Sequence, residues 1–191
     1  VTGKTTMLAT ERWLMLPAQK ALGFSVNTTD PAEMEQVKAL LGEAKPTLLA
    51  FDDTTFYSRL VSGEAVLVEA WDGWCNYGIA ENADIRFVIP SEGADVWTDT
   101  MTILATSQHQ EAAHKLIDFI LRPDIHRWVA ENILYKVPNK AAMDALDPSL
   151  LETFPNMAIT PAELLGTSEA ILDIGDAAGL YTEIATEIAA Q

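Results

Sequence analysis

Residues 65–77 read AVLVEAWDGWCNY, a strand pattern that runs directly into an aromatic cluster. Residues 65–70 are nearly all apolar and β-forming, which predicts a strand buried on both faces of a parallel sheet. Ligands of open α/β sheets bind outside the carboxyl ends of the strands. We therefore predict that Trp71, Asp72 and Trp74 belong to a ligand site. The alternative is that the rings are core residues.

A second stretch, SEGADVWTDTMTIL at residues 91–104, lies between a glycine-containing turn and an apolar, β-type run. Trp97 and Asp99 are two positions apart, so they face the same side of an extended segment. An indole face beside a carboxylate suits an ammonium group, because cation–π contact adds roughly 0.5–2 kcal/mol to an ion pair. Taken alone, the same residues equally fit a core tryptophan at a strand end and a turn-capping aspartate.

The apolar spacing of the rest of the chain predicts helices that alternate with short strands, which is typical of an α/β fold. Asp52 and Asp53 follow one of the expected strands, and we expect them to cap the next helix, with metal ligation as the alternative. Helices are expected at residues 7–22 (bent at Pro17), from Asp30-Pro31 to 41, at 110–121 and 125–133, and from about Asp176; strands are expected at 47–51 and 85–90.

Composition restricts the class of function. The 191 residues contain 12 Lys and Arg against 28 Asp and Glu, a formal charge of −16 that argues against nucleic-acid binding. One cysteine excludes an intramolecular disulfide. The three histidines lie apart from any nucleophile motif. The sequence contains no Gly-x-Ser-x-Gly nucleophile elbow, no His-Glu-x-x-His zinc motif and no Cys-x-x-Cys pair. We predict a binding protein without catalysis, metal or cofactor, although 28 acids leave a carboxylate-based hydrolase as a remote alternative.

Five segments occur in an order and spacing that together are specific. They are LGFSVNTTDP (22–31), WDG (71–73), PSEGADVWTD (90–99), EAAHKLIDFILRPD (111–124) and YKVPNKAA (135–142). In this order they are similar to the spermidine/putrescine-binding proteins of bacterial polyamine ABC transporters. The resemblance extends over nearly the whole chain.

The resemblance implies the two-lobe, type II fold of periplasmic binding proteins, with the ligand enclosed between α/β lobes. The similarity starts well inside that fold, so this chain is expected to hold mostly the second lobe, without most of the first. On this basis residues 1–97 and 146–191 belong to the second lobe, and residues 98–145 belong to the remainder of the first.

The same resemblance implies the site. Trp71 and Trp97 would pack against the methylenes of a polyamine, Asp99 would pair with an ammonium group, and Tyr135 would stack or hydrogen-bond. Asp72 and Trp74 would adjoin them. The chain would thus be the substrate-binding component of an ABC importer for a putrescine- or spermidine-like cation.

Two departures from the family pattern keep another ligand open. The family places an Asp and a Glu three apart at the start of the first helix, where this chain reads Thr10-Glu11-Arg12-Trp13, leaving only Glu11 nearby. The family's late glutamine falls near Ile171. A second ammonium group would then lack its usual partner, so the alternative is another cationic or zwitterionic molecule, such as an amino acid or opine.

The resemblance also implies partners and location. We expect a membrane permease as partner, a periplasmic location, and self-association through apolar surface meant for the missing lobe. No apolar run approaches the ~20 residues of a membrane span.

Overall fold

The computed structural model describes residues 1–190. The chain divides into two compact units. The first consists of Val1–Trp97 together with the chain from Thr160 onward, and the second is Thr98–Ile159.

The first unit contains a parallel sheet of three short strands, β1 (Thr5–Met7), β2 (Ala50–Phe51) and β3 (Leu67–Val68). Their order is β2-β1-β3, so β1 is central, with Thr6 in register with Ala50 on one side and Val68 on the other. Parallel neighbours need a crossover, which here is helical. The helices are α1 (Glu11–Ala21), α2 (Pro31–Ala44), α3 (Phe56–Ser62) and, after β3, α4 (Asp72–Glu81).

The core of this unit lies where α1 and α2 pack against the last helix, α10 (Ala178–Ala190). Asp30 caps α2 by accepting from the Ala32 amide at 2.7 Å, with Pro31 in the first turn, as the sequence predicts. The buried Tyr181 hydroxyl accepts from Gln19 Nε2 and donates to the Thr28 carbonyl, both at 2.8 Å. The other buried members of this core are Met7, Leu14, Met15, Ala18, Met34, Val37, Leu41, Ile184 and Ile188.

A two-stranded parallel ribbon completes the first unit. It pairs β4 (Asp95–Val96) with β5 (Glu169–Ala170), which follows helix α9 (Pro161–Leu165). Helix α1 holds this ribbon through three side chains. Trp13 Nε1 donates to Asp95 Oδ2 at 3.2 Å, Lys20 Nζ pairs with Glu169 Oε1 at 2.6 Å, and Arg12 donates to the Leu172 carbonyl at 3.0 Å.

The strands depart from the sequence expectations more than the helices do. Residues 5–7, partly expected to be helical, form the central strand, whereas helix α1 begins at Glu11 and runs through Pro17. Residues 85–90 and 101–104 form no strand, because no neighbouring segment pairs with them within residues 1–190. Strand β3 is only Leu67–Val68, and Leu67 is 56% exposed, so the prediction of burial on both faces was wrong.

The second unit has four helices within its described residues: α5 (Gln110–Ile120), α6 (Pro123–Ile133), α7 (Lys140–Met143) and α8 (Pro148–Thr153). Asn139 fastens α7 to the end of α5: its Oδ1 accepts from the Ala142 amide, and its Nδ2 donates to the Leu121 carbonyl at 2.8 Å. The unit extends to Ile159: the Asn156 carbonyl accepts from Lys136 Nζ, and α8 packs on the 3-10 turn at 155–158. The lobe boundary at 145 stays a prediction.

The second unit exposes many large apolar side chains: Met101, Leu104, Leu116, Phe119, Leu121, Trp128 and Ile133. Such a surface is what the expected self-association would use. Self-association itself stays a prediction, and light scattering over a concentration series would test it.

Gly93 provides a test of how the ribbon is placed. It has a φ of +95°, and a Cβ there would collide with the Thr167 carbonyl oxygen, which lies on the approach to β5. We expect Gly93→Ala to lower the free energy of unfolding by about 2 kcal/mol or more, from backbone strain plus the clash. Gly23→Ala is the matched control, because Gly23 has a φ of +76° with no atom within 4 Å of the added Cβ. Urea unfolding that gives equal losses for both variants would rule out the clash.

Candidate functional site

The polar and aromatic side chains of the first unit concentrate just after the strands. Residues 8–10 follow β1, residues 52–53 follow β2, residues 69–72 follow β3, and Trp97 follows β4. The three sheet strands are parallel, so their carboxyl ends lie at one edge, which is where ligands of α/β sheets bind.

Two carboxylates at this edge satisfy the backbone that leaves the central strand. The amide of Leu8 donates to Glu69 Oε2 at 2.9 Å, and the amide of Ala9 donates to Asp53 Oδ1 at 2.7 Å. The hydroxyl of Thr10 donates to the other oxygen of Asp53 at 3.1 Å. Both acids are therefore fixed at the edge by neutral donors.

Asp52 has a different role from its neighbour. Its carboxylate accepts from the amides of Thr54 and Thr55, from the Thr55 hydroxyl, and from Arg59 Nε at 2.7 Å. Burial acts to raise the pKa of Asp52, but the hydrogen bonds from Thr55 and Arg59 outweigh it and lower the pKa to about 2. Asp52 therefore closes the turn before α3 and pairs with Arg59 inside that helix, but it does not form the predicted cap, because Thr55 is the N-cap residue and has no side-chain cap hydrogen bond.

Three tryptophans meet beside these acids. The ring of Trp13 makes edge-to-face contacts with Trp71, at 5.6 Å between centroids, and with Trp97, at 6.4 Å. All three rings are half-buried, so part of each indole faces solvent. The hydrogen bond from Trp13 Nε1 to Asp95 Oδ2 fixes the central ring against a carboxylate. Partly exposed indoles next to acids are suited to an organic cation.

The acids of this site are held in surroundings that disfavour their charge. Burial, aided by the charges of Asp95 and Asp53 and opposed by the hydrogen bond from Leu8, raises the pKa of Glu69 to about 8. Burial also raises the pKa of Asp95, with Asp72 adding to the effect while the Trp13 hydrogen bond opposes it. The site therefore has an excess of negative charge that favours either a proton or a bound cation.

No basic side chain among residues 1–190 forms an ion pair with Glu69, Asp95 or Asp53. The basic residues Arg12 and Lys20 bind other groups. Arg12 donates to the Val26 carbonyl and Asn27 Oδ1, as well as to the ribbon, and its guanidinium stacks on the ring of Tyr181. Lys20 pairs with Glu169.

The predicted site residues of the first unit fall into two groups. Trp71 and Trp97 are in the tryptophan cluster, and Asp72 begins α4 beside it. Trp74 points instead into a second aromatic group, with ring centroids 6.1 Å from Phe56, 5.8 Å from Tyr57 and 5.9 Å from Tyr77. Glu11 lies half-buried in the first turn of α1.

The other two predicted residues belong to the second unit. Asp99 is exposed and lies outside any helix or strand, and Tyr135 is half-buried just after α6. Their roles stay predictions.

Sequence reasoning missed four residues that the structure brings to this edge: Trp13, Asp53, Glu69 and Asp95. From sequence, Trp13 is expected on the apolar face of a helix and Asp53 in a cap. One signal for Glu69 was available, because a lone acid in an apolar strand needs a specific reason to be there. Within the described residues, no group of three or more His, Cys, Asp or Glu side chains is arranged to hold a metal ion.

Comparison with known proteins assigns this chain to a family. The sequence model described as "Bacterial extracellular solute-binding protein" matches residues 21–162. The chain belongs to this family. The spermidine/putrescine-binding periplasmic protein of Salmonella typhimurium is 34% identical to it over 183 residues, covering 94% of this chain and 52% of the relative. The family resemblance and the partial type II fold predicted from sequence are thereby confirmed.

Solved structures agree with this placement. A Listeria monocytogenes protein assigned as a spermidine/putrescine ABC transporter superposes with a TM-score of 0.88 at 25% identity, over 98% of this chain and 58% of its own. The spermidine/putrescine ABC transporter substrate-binding protein of Streptococcus pneumoniae gives 0.80 at 21% identity, over 99% and 58%. The chain spans about half the length of the curated relatives it matches. These relatives are binding proteins, in agreement with the prediction that the chain is not an enzyme.

The raised pKa of Glu69 makes a prediction about stability. Between its ordinary value near 4.5 and about 8, the folded state holds a proton that the unfolded state has lost. The free energy of unfolding should therefore fall as pH rises through this window. We expect Glu69→Gln to remove about 2–4 kcal/mol of that fall between pH 5 and pH 9.

Urea unfolding at the two pH values measures this difference. Glu81→Gln, an exposed position at the end of α4, is the matched control and should follow the wild type. Parallel pH dependences for wild type and Glu69→Gln would contradict the raised pKa.

Proposed function

We propose that this chain contributes the cation-binding site of the substrate-binding component of an ABC importer, and that the ligand is a polyamine such as putrescine or spermidine. The observation that carries the proposal is the tryptophan cluster beside acids that have no basic partner. The site lies at the carboxyl edge of the sheet, where a ligand is expected.

The chemistry of a polyamine fits these groups. An ammonium group supplies the positive charge that Glu69, Asp95 and Asp53 lack, and it gains cation–π attraction from an indole face. The methylenes between the amines remove apolar surface from water when they pack on Trp71 and Trp97. An anion would meet only carboxylates here, and the formal charge of −16 would slow its approach.

The relatives support the same class of ligand, since the Salmonella typhimurium protein is named for spermidine and putrescine. The family departure at Thr10-Glu11-Arg12-Trp13 left the second amine without its usual acids. Glu69, just after β3, and Asp95, in β4, offer carboxylates instead, which favours a polyamine over a zwitterion. By resemblance, the proposal also includes Asp99 and Tyr135 as ligand contacts, with Glu11, Asp72 and Trp74 adjoining the site.

The proposal includes the partner and the location. A binding component of an importer delivers its ligand to a membrane permease, and the relatives named above are periplasmic or belong to ABC transporters. Within residues 1–190, no helix combines the length and apolar character that crossing a membrane requires.

Calorimetry with putrescine and spermidine tests the proposal on this chain. We expect heat of binding with at least one amine, and a loss of affinity of about 5- to 100-fold in Trp71→Ala, because the variant loses cation–π and apolar contacts of about 1–3 kcal/mol. Trp128→Ala is the control, since Trp128 is 62% exposed and lies in the second unit.

Two results would count against this function. Absence of heat with either amine, together with binding of an anion, would contradict a cation site. Clear preference for an amino acid over putrescine would move the assignment to the zwitterion alternative.

A further inference from the structure

Glu69 and Asp95 are more than a source of negative charge, and the role inferred for them here rests on the proposed function. We propose that an ammonium group of the bound amine takes the place of a proton held by Glu69, so that binding of the cation releases that proton. The site would therefore bind its ligand more tightly as pH rises.

The geometry fixes both carboxylates without neutralising either. Glu69 is anchored through Oε2 to the Leu8 amide, and Asp95 is anchored through Oδ2 to the indole N–H of Trp13. Both anchors are neutral donors. Glu69 Oε1 receives no hydrogen bond from the described residues, which leaves it available to a proton or to an ammonium group.

The charged groups that act on Glu69 and Asp95 come from three other parts of the first unit. Asp53 follows β2, Asp72 begins α4, and Arg12 lies on α1. Asp95 and Asp53 raise the pKa of Glu69 after burial has raised it, and Asp72 raises the pKa of Asp95, whereas Arg12 acts only weakly in the opposite direction. These like charges repel one another, and a proton on Glu69 relieves part of that repulsion.

A bound ammonium group would relieve the same repulsion, so proton and ligand are alternatives. With a pKa near 8, most unliganded molecules hold the proton at pH 7. When the cation arrives, the pKa falls and the proton leaves to solvent. Linkage then requires the association constant to rise with pH, by up to about tenfold per pH unit below the pKa of the free site.

Calorimetry at pH 7 with putrescine, in two buffers of different ionisation enthalpy, measures the released protons directly. We expect about 0.5–1 proton per ligand for the wild type, from the fraction of Glu69 that is protonated at that pH. We expect close to none for Glu69→Gln, whose amide keeps an acceptor for Leu8 but cannot release a proton. Glu81→Gln should release as many protons as the wild type.

The outcomes separate this inference from the proposed function. Absence of binding by any amine defeats the proposed function, whereas binding with equal heat in both buffers defeats the proton exchange alone. A measurement without ligand decides the inference in either case. The ¹³C NMR titration of the Glu69 carboxyl should have its midpoint at about pH 7–9, and a midpoint below about pH 5.5 would overturn it.

Discussion

The first unit depends on how the backbone is satisfied where it leaves its central strand. Strand β1 has a parallel neighbour on each side, and both neighbours end at the same edge. The amides of Leu8 and Ala9 have passed the last strand pairing and have not yet reached α1. Leu8 is buried, so its amide needs an acceptor, whereas Ala9 is exposed. Carboxylates from the ends of the two neighbours, Glu69 and Asp53, accept from the two amides, so one structural requirement also collects acids at the ligand edge.

Helix α1 connects this edge of the sheet to the core and to the β4–β5 ribbon. One side of the helix places Leu14, Met15 and Ala18 in the core, and the other side holds the ribbon through Trp13 and Lys20. Trp13, which contacts both Trp71 and Trp97, is therefore positioned by the same helix that packs in the core. Because its indole N–H is bound to Asp95, the central ring has a fixed position against the β4 strand, which prepares the cluster before any ligand arrives.

Features that depend on neighbouring residues in the sequence could be predicted, whereas features that depend on contacts between distant residues could not. The cap at Asp30-Pro31 and the helices α5 and α6 rest on local spacing, and they lie close to where they were expected. Strands were less accurate, since two-residue strands exist only through partners that lie elsewhere in the chain. Trp71 and Trp97 could be proposed from their place after strand-like runs. Trp13 and Asp95 could not be paired in this way, because 82 positions separate them and only the tertiary fold brings them together.

The energetic cost of this site favours a binding role over a structural one. A carboxylate that loses water without gaining a basic partner destabilises the folded chain. A structural role at Leu8 would be served equally by a neutral acceptor, such as glutamine, without that cost. Side chains that lower stability and are nevertheless held in place are common where binding requires them. A cation that binds only the folded state would restore the lost stability through its own binding free energy. The excess negative charge at the edge of the sheet is the charge with which the proposed cationic ligand would pair.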